Sequence, residues 1–126
     1  MRLQRCAAAL IVVVALLAGC VTVSDRPESC NDPAVTLRAT LADEHLDPGM
    51  LDVCRDQDVT LVVTIERDGI FHVHGYDDQL QATEVSAGEE LKLTFVAVRS
   101  GQFPIALHTT DGPAEVTVGV LTVHEP

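Results

Sequence analysis

Two histidines separated by a single residue are the best candidates for chemistry in this sequence. His72 and His74 lie in the segment 71–77, which reads FHVHGYD and falls within a run of β-type residues. On a β-strand, residues i and i+2 point to the same face, with Cα atoms roughly 6.6 Å apart. Both imidazoles can therefore reach one borderline cation such as Cu²⁺ or Zn²⁺.

Other residues are candidates to complete such a site. His108 has the same outward phase on a later predicted strand, so it is a tentative third ligand. The residues directly after the histidine pair offer oxygen ligands or hydrogen-bond acceptors for the imidazoles: Tyr76, Asp77 and Asp78. Two interpretations stay open here. The histidines either bind copper or zinc, or they are ordinary side chains on the solvent face of a strand.

A second group of potential ligands lies in an acidic loop and is interpreted differently. Its members are Asp43, Glu44, His45 and Asp47. Contiguous charge is mostly found on solvated surfaces, so we predict a solvent-exposed loop here.

Catalytic arrangements are missing from the sequence. No Ser-His-Asp, Cys-His or paired-carboxylate pattern stands out, and no glycine-rich phosphate loop is present. The sequence therefore predicts a protein that is not an enzyme.

The first twenty residues resemble a bacterial lipoprotein signal. Arg2 and Arg5 form a basic start, residues 7–17 are an uninterrupted apolar run, and Leu-Ala-Gly-Cys ends at Cys20. The resemblance implies removal of residues 1–19, lipidation of the Cys20 thiol, and attachment to the extracytoplasmic face of a bacterial cell membrane. An ordinary secretory signal or an uncleaved anchor are the alternatives.

The charge of the mature chain excludes several partners. Loss of Arg2 and Arg5 leaves six basic against 19 acidic side chains, a net charge of −13. This charge argues against nucleic acid and against electrostatic adhesion to anionic lipid. We expect a monomer held at the membrane by its lipid, with any envelope protein partner unknown.

The four cysteines have separate fates in this interpretation. Cys6 leaves with the signal and Cys20 carries the lipid, so Cys30 and Cys54 remain as a pair. Exported pairs in small domains usually close, and a disulfide is predicted. A thiolate metal or redox site is the alternative, but the sequence has no Cys-x-x-Cys.

The pattern of the mature chain is all-β. Residues 20–34 are polar and without periodicity, as in a tether, and residues 35–126 form one domain of short β-type runs between turn signals. The predicted strands are 35–41, 51–54, 59–65, 70–75, 80–85, 91–97, 102–108 and 116–123. A slip in the apolar phase close to Gly119 predicts a bulge in the last strand. No internal repeat is visible.

The order of these motifs resembles the cupredoxin-like domains, and in particular small bacterial lipoproteins with a His-x-His-Gly-Tyr-Asp motif. The resemblance covers residues 35–123. It is carried by the Pro48-Gly49 turn, FHVHGYD (71–77), VSAGE (85–89), LKLTF (91–95), GQFPI (101–105) and VLTV (120–123). It implies a Greek-key β-sandwich of seven or eight strands.

The same resemblance raises the question of a type 1 copper site. Such a site is formed by two imidazoles, one thiolate and, usually, a weakly bound axial methionine. The cysteine would stand at the end of the seventh strand, where the sequence has Leu107. Residues 109–114 supply neither a histidine nor a methionine, and Met50 is far away in the acidic loop. We therefore expect no electron carrier. Two functions remain: a metal-binding lipoprotein that uses His72 and His74, or a metal-free interaction or accessory module.

Overall fold

Nine β-strands and one 3₁₀ helix make up the computed structural model, which describes residues 26–110 and 115–126. The 3₁₀ helix is Glu28–Asn31. The strands are β1 (Ala34–Ala42), β2 (His45–Asp47), β3 (Met50–Cys54), β4 (Asp58–Ile65), β5 (Gly69–Val73), β6 (Thr83–Val85), β7 (Glu90–Val96), β8 (Gly101–His108) and β9 (Val116–His124). The predicted signal peptide, Cys6, the lipidation site Cys20 and the 111–113 turn lie outside the described residues.

The strands form two facing sheets. The first sheet has the order β2-β1-β4-β7, and the second has the order β3-β9-β8-β5-β6. Both are mixed, because β1 pairs with β4 and β3 with β9 in parallel, while the other neighbours are antiparallel. The prediction of an all-β sandwich is confirmed. No helix among the described residues has the length and apolar character needed to cross a bilayer.

Alternation along the strands builds the core between the sheets. On β4 the inward residues are almost fully buried: Val59, Leu61, Val63 and Ile65. On β5, Phe71 and Val73 are 1% and 2% exposed, whereas Ile70 and His72 on the other face are only partly buried. Burial of each large apolar side chain contributes about 1.5–3 kcal/mol. The core therefore holds β5 in the phase that directs His72 to the outer face of the second sheet.

One strand was not predicted. The segment 45–47 was expected to be part of a solvated loop, but it forms β2 and pairs antiparallel with the end of β1. Leu46 lies opposite Leu41 and is 3% exposed. A strand of three residues with one apolar side chain is too short to show a two-residue period, so the acidic neighbours dominated the pattern.

Two predicted strands are shorter in the structure. The predicted strand 70–75 ends at Val73, so His74 follows β5 directly, although its N–H still donates to the carbonyl of Pro104 (3.0 Å). Of the predicted strand 80–85, only the last three residues form a strand, β6. Leu80 lies in the loop before β6, and its side chain is buried.

The bulge expected near Gly119 is present. Ile105 of β8 pairs with Gly119, but Ala106 pairs with Thr117, which leaves Val118 as the extra residue of β9. This shift in register lies in the β8–β9 pair, close to the end of β8 at His108.

The segment before β1 is bound to the sandwich at two points. Cys30 and Cys54 form a disulfide with Cα atoms 5.3 Å apart, as predicted. The buried amide of Gln57 donates to the carbonyls of Ser29 (2.5 Å) and Asp32 (2.8 Å) and accepts from the Cys54 N–H (2.8 Å). The part of the expected tether that the structure describes, residues 26–33, is therefore held against β3.

Candidate metal site

Three histidines meet on the outer face of the second sheet. His72 lies on β5 opposite Ala106, His108 is the last residue of β8, and His74 follows β5 directly. The ring centroids of His72 and His74 are 4.3 Å apart, and those of His72 and His108 are 6.2 Å apart. The structure thus places the tentative third ligand beside the predicted pair.

Glu115 is the carboxylate of this group, and the sequence reasoning missed it. One of its oxygens contacts His74 Nε2, and the other lies 3.6 Å from His108 Nε2. An ionised carboxylate only accepts hydrogen bonds, so the His74 nitrogen is the donor. This hydrogen bond is the main reason that the pKa of Glu115 is lowered, and the nearby imidazoles add to the effect. We call His72, His74, His108 and Glu115 the histidine patch.

A usable signal for Glu115 existed in the sequence. The last two predicted strands, 102–108 and 116–123, are joined by a short turn and therefore form a hairpin. Antiparallel pairing of Leu107 with Val116 puts Glu115 close to His108. Pairing these two predicted strands would have identified Glu115 as a candidate ligand.

Asp77 supports the patch from the loop after β5. Its Oδ1 lies 2.5 Å from His72 Nε2, and its Oδ2 accepts a hydrogen bond from the Gly75 N–H at 3.2 Å. The hydrogen bond from His72 is the largest cause of the lowered pKa of Asp77. This carboxylate fixes the orientation of the His72 imidazole in the metal-free protein.

The backbone turn that brings Asp77 back over His72 depends on Gly75. Gly75 has φ +82°, a left-handed conformation that L-residues rarely adopt. A Cβ at this position would also lie 2.6 Å from Cδ1 of Phe103. The glycine of the motif is therefore needed both for the turn and for the close approach to β8.

Tyr76 and Asp78, which were candidate oxygen ligands or acceptors, lie away from the histidines. Tyr76 is fully buried, and its hydroxyl donates to the carbonyl of Arg99 (3.0 Å) and accepts from the Arg99 N–H (3.3 Å). Its ring packs edge-on against Phe95 and Phe103, and burial raises its pKa. Asp78 Oδ1 lies 3.9 Å from an Arg99 guanidinium nitrogen.

The position of a type 1 copper thiolate is filled by an apolar core residue. Leu107 is completely buried and lies opposite Phe71. Both cysteines among the described residues are joined in the disulfide, and Met50 is 63% exposed on β3. A type 1 centre therefore does not fit the residues present.

Two residues of the acidic group at 43–47 contact Arg67. The carbonyl of Asp43 accepts a hydrogen bond from Arg67 Nη1 (3.0 Å), and Glu44 Oε1 lies 3.9 Å from the same nitrogen. His45 and Asp47 are exposed at the two ends of β2. These side chains lie at the protein surface.

The side chains of the histidine patch already contact one another or Asp77. Nowhere in residues 26–110 and 115–126 are three His, Cys, Asp or Glu side chains arranged to hold a metal ion as they are packed. Nε2 of His72 faces Asp77, and Nε2 of His74 faces Glu115. Coordination of one ion by these imidazoles requires them to turn away from the carboxylates.

Comparisons with known proteins identify the fold. The sequence matches no protein-family model and no curated protein. The structure is similar to the blue copper oxidase from Nitrosomonas europaea (14% identity, TM-score 0.58, covering 73% of this chain and 39% of that one). It is also similar to a copper binding protein in the apo form (12%, 0.54, 74% and 90%) and to auracyanin A, a "blue" copper protein from Chloroflexus aurantiacus (15%, 0.54, 72% and 99%).

These similarities extend over one domain. The chain spans about 39% of the length of the oxidase, whereas it covers nearly all of auracyanin A. Identities this low show the fold and nothing about ligands or activity. The described part of the chain has a cupredoxin-like fold.

Proposed function

We propose that this protein is a lipid-anchored, cupredoxin-like protein of the bacterial envelope that binds Cu²⁺ or Zn²⁺ through His72, His74 and His108. The observation that carries the proposal is the meeting of three imidazoles, from two strand ends, with ring centroids 4.3 and 6.2 Å from that of His72. Imidazole nitrogen is a preferred ligand of both ions.

Access and charge support this role. The side chains of His74 and His108 are each 38% exposed, so an ion can reach them from solvent without opening the core. Glu115 and Asp77 are ionised at neutral pH, because the pKa of each lies below its ordinary carboxyl value, and they add negative charge beside the imidazoles. Local negative charge attracts a divalent cation.

The proposed role is binding, without electron transfer or catalysis. Fast one-electron transfer by blue copper proteins uses a copper–thiolate bond. Leu107 cannot supply that bond, and the three histidines lie on the outer face of the sheet and not between the sheets.

The anchor is proposed from the sequence alone. Leu-Ala-Gly-Cys after a basic start and an apolar run supports cleavage before Cys20 and lipidation of its thiol. The domain would then be tethered outside the cytoplasmic membrane by the segment that ends at the disulfide.

A metal-free interaction or accessory module is the second candidate, and one observation favours it. Three of the histidines on the outer face of the second sheet are paired with carboxylates: His72 with Asp77, His74 with Glu115, and His124 with Asp52 (2.8 Å). Such pairs satisfy the imidazoles without any ion.

Calorimetric titration distinguishes the two candidates. Cu²⁺ and Zn²⁺ are titrated into tag-free mature protein, into the double variant His72→Ala, His74→Ala, and into the control variant His45→Ala, which removes an exposed histidine of the first sheet. The proposal expects one equivalent of metal in wild type and control, and a loss of most of the affinity in the double variant. Equal, weak binding by all three proteins would favour the metal-free module.

A further inference from the structure

Glu115 occupies a position in the histidine patch that nothing in the motif itself reveals. It precedes β9 directly, at the end of the β8–β9 hairpin that starts from His108. Its two oxygens serve different imidazoles, one on His74 and one 3.6 Å from His108. The carboxylate therefore lies between the imidazoles of His74 and His108.

We infer that Glu115 is the fourth metal ligand and that its carboxylate makes the site selective for Zn²⁺ and Cu²⁺ over Cu⁺. This inference rests on the proposed function. The donor set would be three imidazole nitrogens and one carboxylate oxygen, which is the ligand number of a tetrahedral zinc site.

In the metal-free protein, hydrogen bonds keep members of this set next to one another. The Glu115 carboxylate contacts Nε2 of His74, and Asp77 contacts Nε2 of His72, so both rings have to turn before they can bind an ion. To bind an ion, the imidazoles would turn their Nε2 atoms away from the carboxylate oxygens and towards the ion. Each neutral ring would then carry its single proton on Nδ1, and the Glu115 oxygen that accepts a hydrogen bond in the metal-free protein would become a ligand.

Selectivity follows from the charge and hardness of that oxygen. Cu⁺ prefers soft ligands, whereas imidazole together with a carboxylate suits divalent ions. The attraction between the carboxylate and a doubly charged ion is twice that for a singly charged ion at the same distance. Two imidazoles such as those of His72 and His74 can bind Cu⁺ without help from Glu115.

The test compares the affinity of three ions for wild type, for one Glu115 variant and for a control variant. Glu115→Gln keeps the size of the side chain and removes its charge. Zn²⁺, Cu²⁺ and, under anaerobic reducing conditions, Cu⁺ are titrated into full-length mature wild type, Glu115→Gln, and the control Glu90→Gln, an exposed glutamate on β7 of the other sheet.

We expect Glu115→Gln to bind Zn²⁺ and Cu²⁺ at least about 10-fold more weakly, because loss of a residue that only supports a metal ligand already weakens binding by about 10- to 100-fold, and to bind Cu⁺ less than threefold more weakly. Glu90→Gln should match wild type for all three ions. If wild type binds no ion, the proposed function fails and this inference with it. If wild type binds and Glu115→Gln binds all three ions as tightly, or loses all three equally, only this inference is overturned.

A second readout does not depend on the variant's folding. A crystal structure of zinc-loaded wild type should show three imidazole nitrogens and one Glu115 oxygen within bonding distance of the ion. A shell of histidine nitrogens and water, with no carboxylate, would overturn the inference.

Discussion

Replacing Gly75 with alanine should destabilise the protein by about 2–5 kcal/mol. The first contribution is the backbone, because an L-residue forced into the left-handed region at φ +82° costs roughly 1–2 kcal/mol. The second is steric, because the new Cβ would lie 2.6 Å from Cδ1 of the Phe103 ring. Overpacking of this kind costs about 1–3 kcal/mol.

Gly88 provides a matched control for the two contributions. It also has a left-handed backbone, with φ +93°, but a Cβ there would meet no atom within 4 Å. Gly88→Ala should therefore cost only the backbone contribution of roughly 1–2 kcal/mol.

The free energy of unfolding of both variants is measured by urea denaturation at 25 °C and compared with wild type. The difference between the variants reports the contact with Phe103. If Gly75→Ala and Gly88→Ala lower the free energy of unfolding equally, within about 0.5 kcal/mol, the contact with Phe103 adds no measurable cost and the prediction is wrong.

Three further predictions concern the lipid anchor, the disulfide and the loss of stability at acidic pH. Cys20→Ser should abolish lipid attachment and move the protein to the aqueous phase of a detergent extraction, and membrane retention would contradict the lipoprotein proposal. Reduction of the Cys30–Cys54 disulfide, whose cysteines are 24 residues apart, should cost about 3 kcal/mol and lower the thermal midpoint by roughly 12–24 °C, and free thiols at both positions in the native protein would contradict this prediction. The pKa of Asp77 is lowered from its ordinary 3.8, mainly by the hydrogen bond from His72, so its contribution is present above that pKa and lost on acidification. Asp77→Asn should therefore flatten the fall in stability as the pH drops below about 4, and an unchanged profile would show that the pair contributes nothing.

The parts of the fold that the sequence predicts are those where alternation is long enough to read. Strand β4 shows four inward apolar residues in eight positions, and the predicted strand 59–65 matches it closely. The phase slip near Gly119 likewise marks the bulge. Strand β2 could not be predicted, because a single apolar residue, Leu46, has no period.

The candidate site was less predictable, because it depends on contacts between strands. The outward phase of His72 follows from β5 alone. The nearness of His108 depends on the register of β5 against β8, and that of Glu115 on the β8–β9 hairpin. The inward burial of Tyr76 results from the reversal at Gly75, which side-chain chemistry does not reveal.

We propose that this cupredoxin-like domain binds a metal ion on the outer face of a sheet and not at the type 1 position. Anomalous diffraction from crystals loaded with Zn²⁺ or Cu²⁺, recorded at the absorption edge of the metal, locates the ion directly. We expect one peak on the outer face of the second sheet, within bonding distance of His72, His74 and His108. A peak between the sheets beside Leu107, or no peak at these histidines, would contradict it.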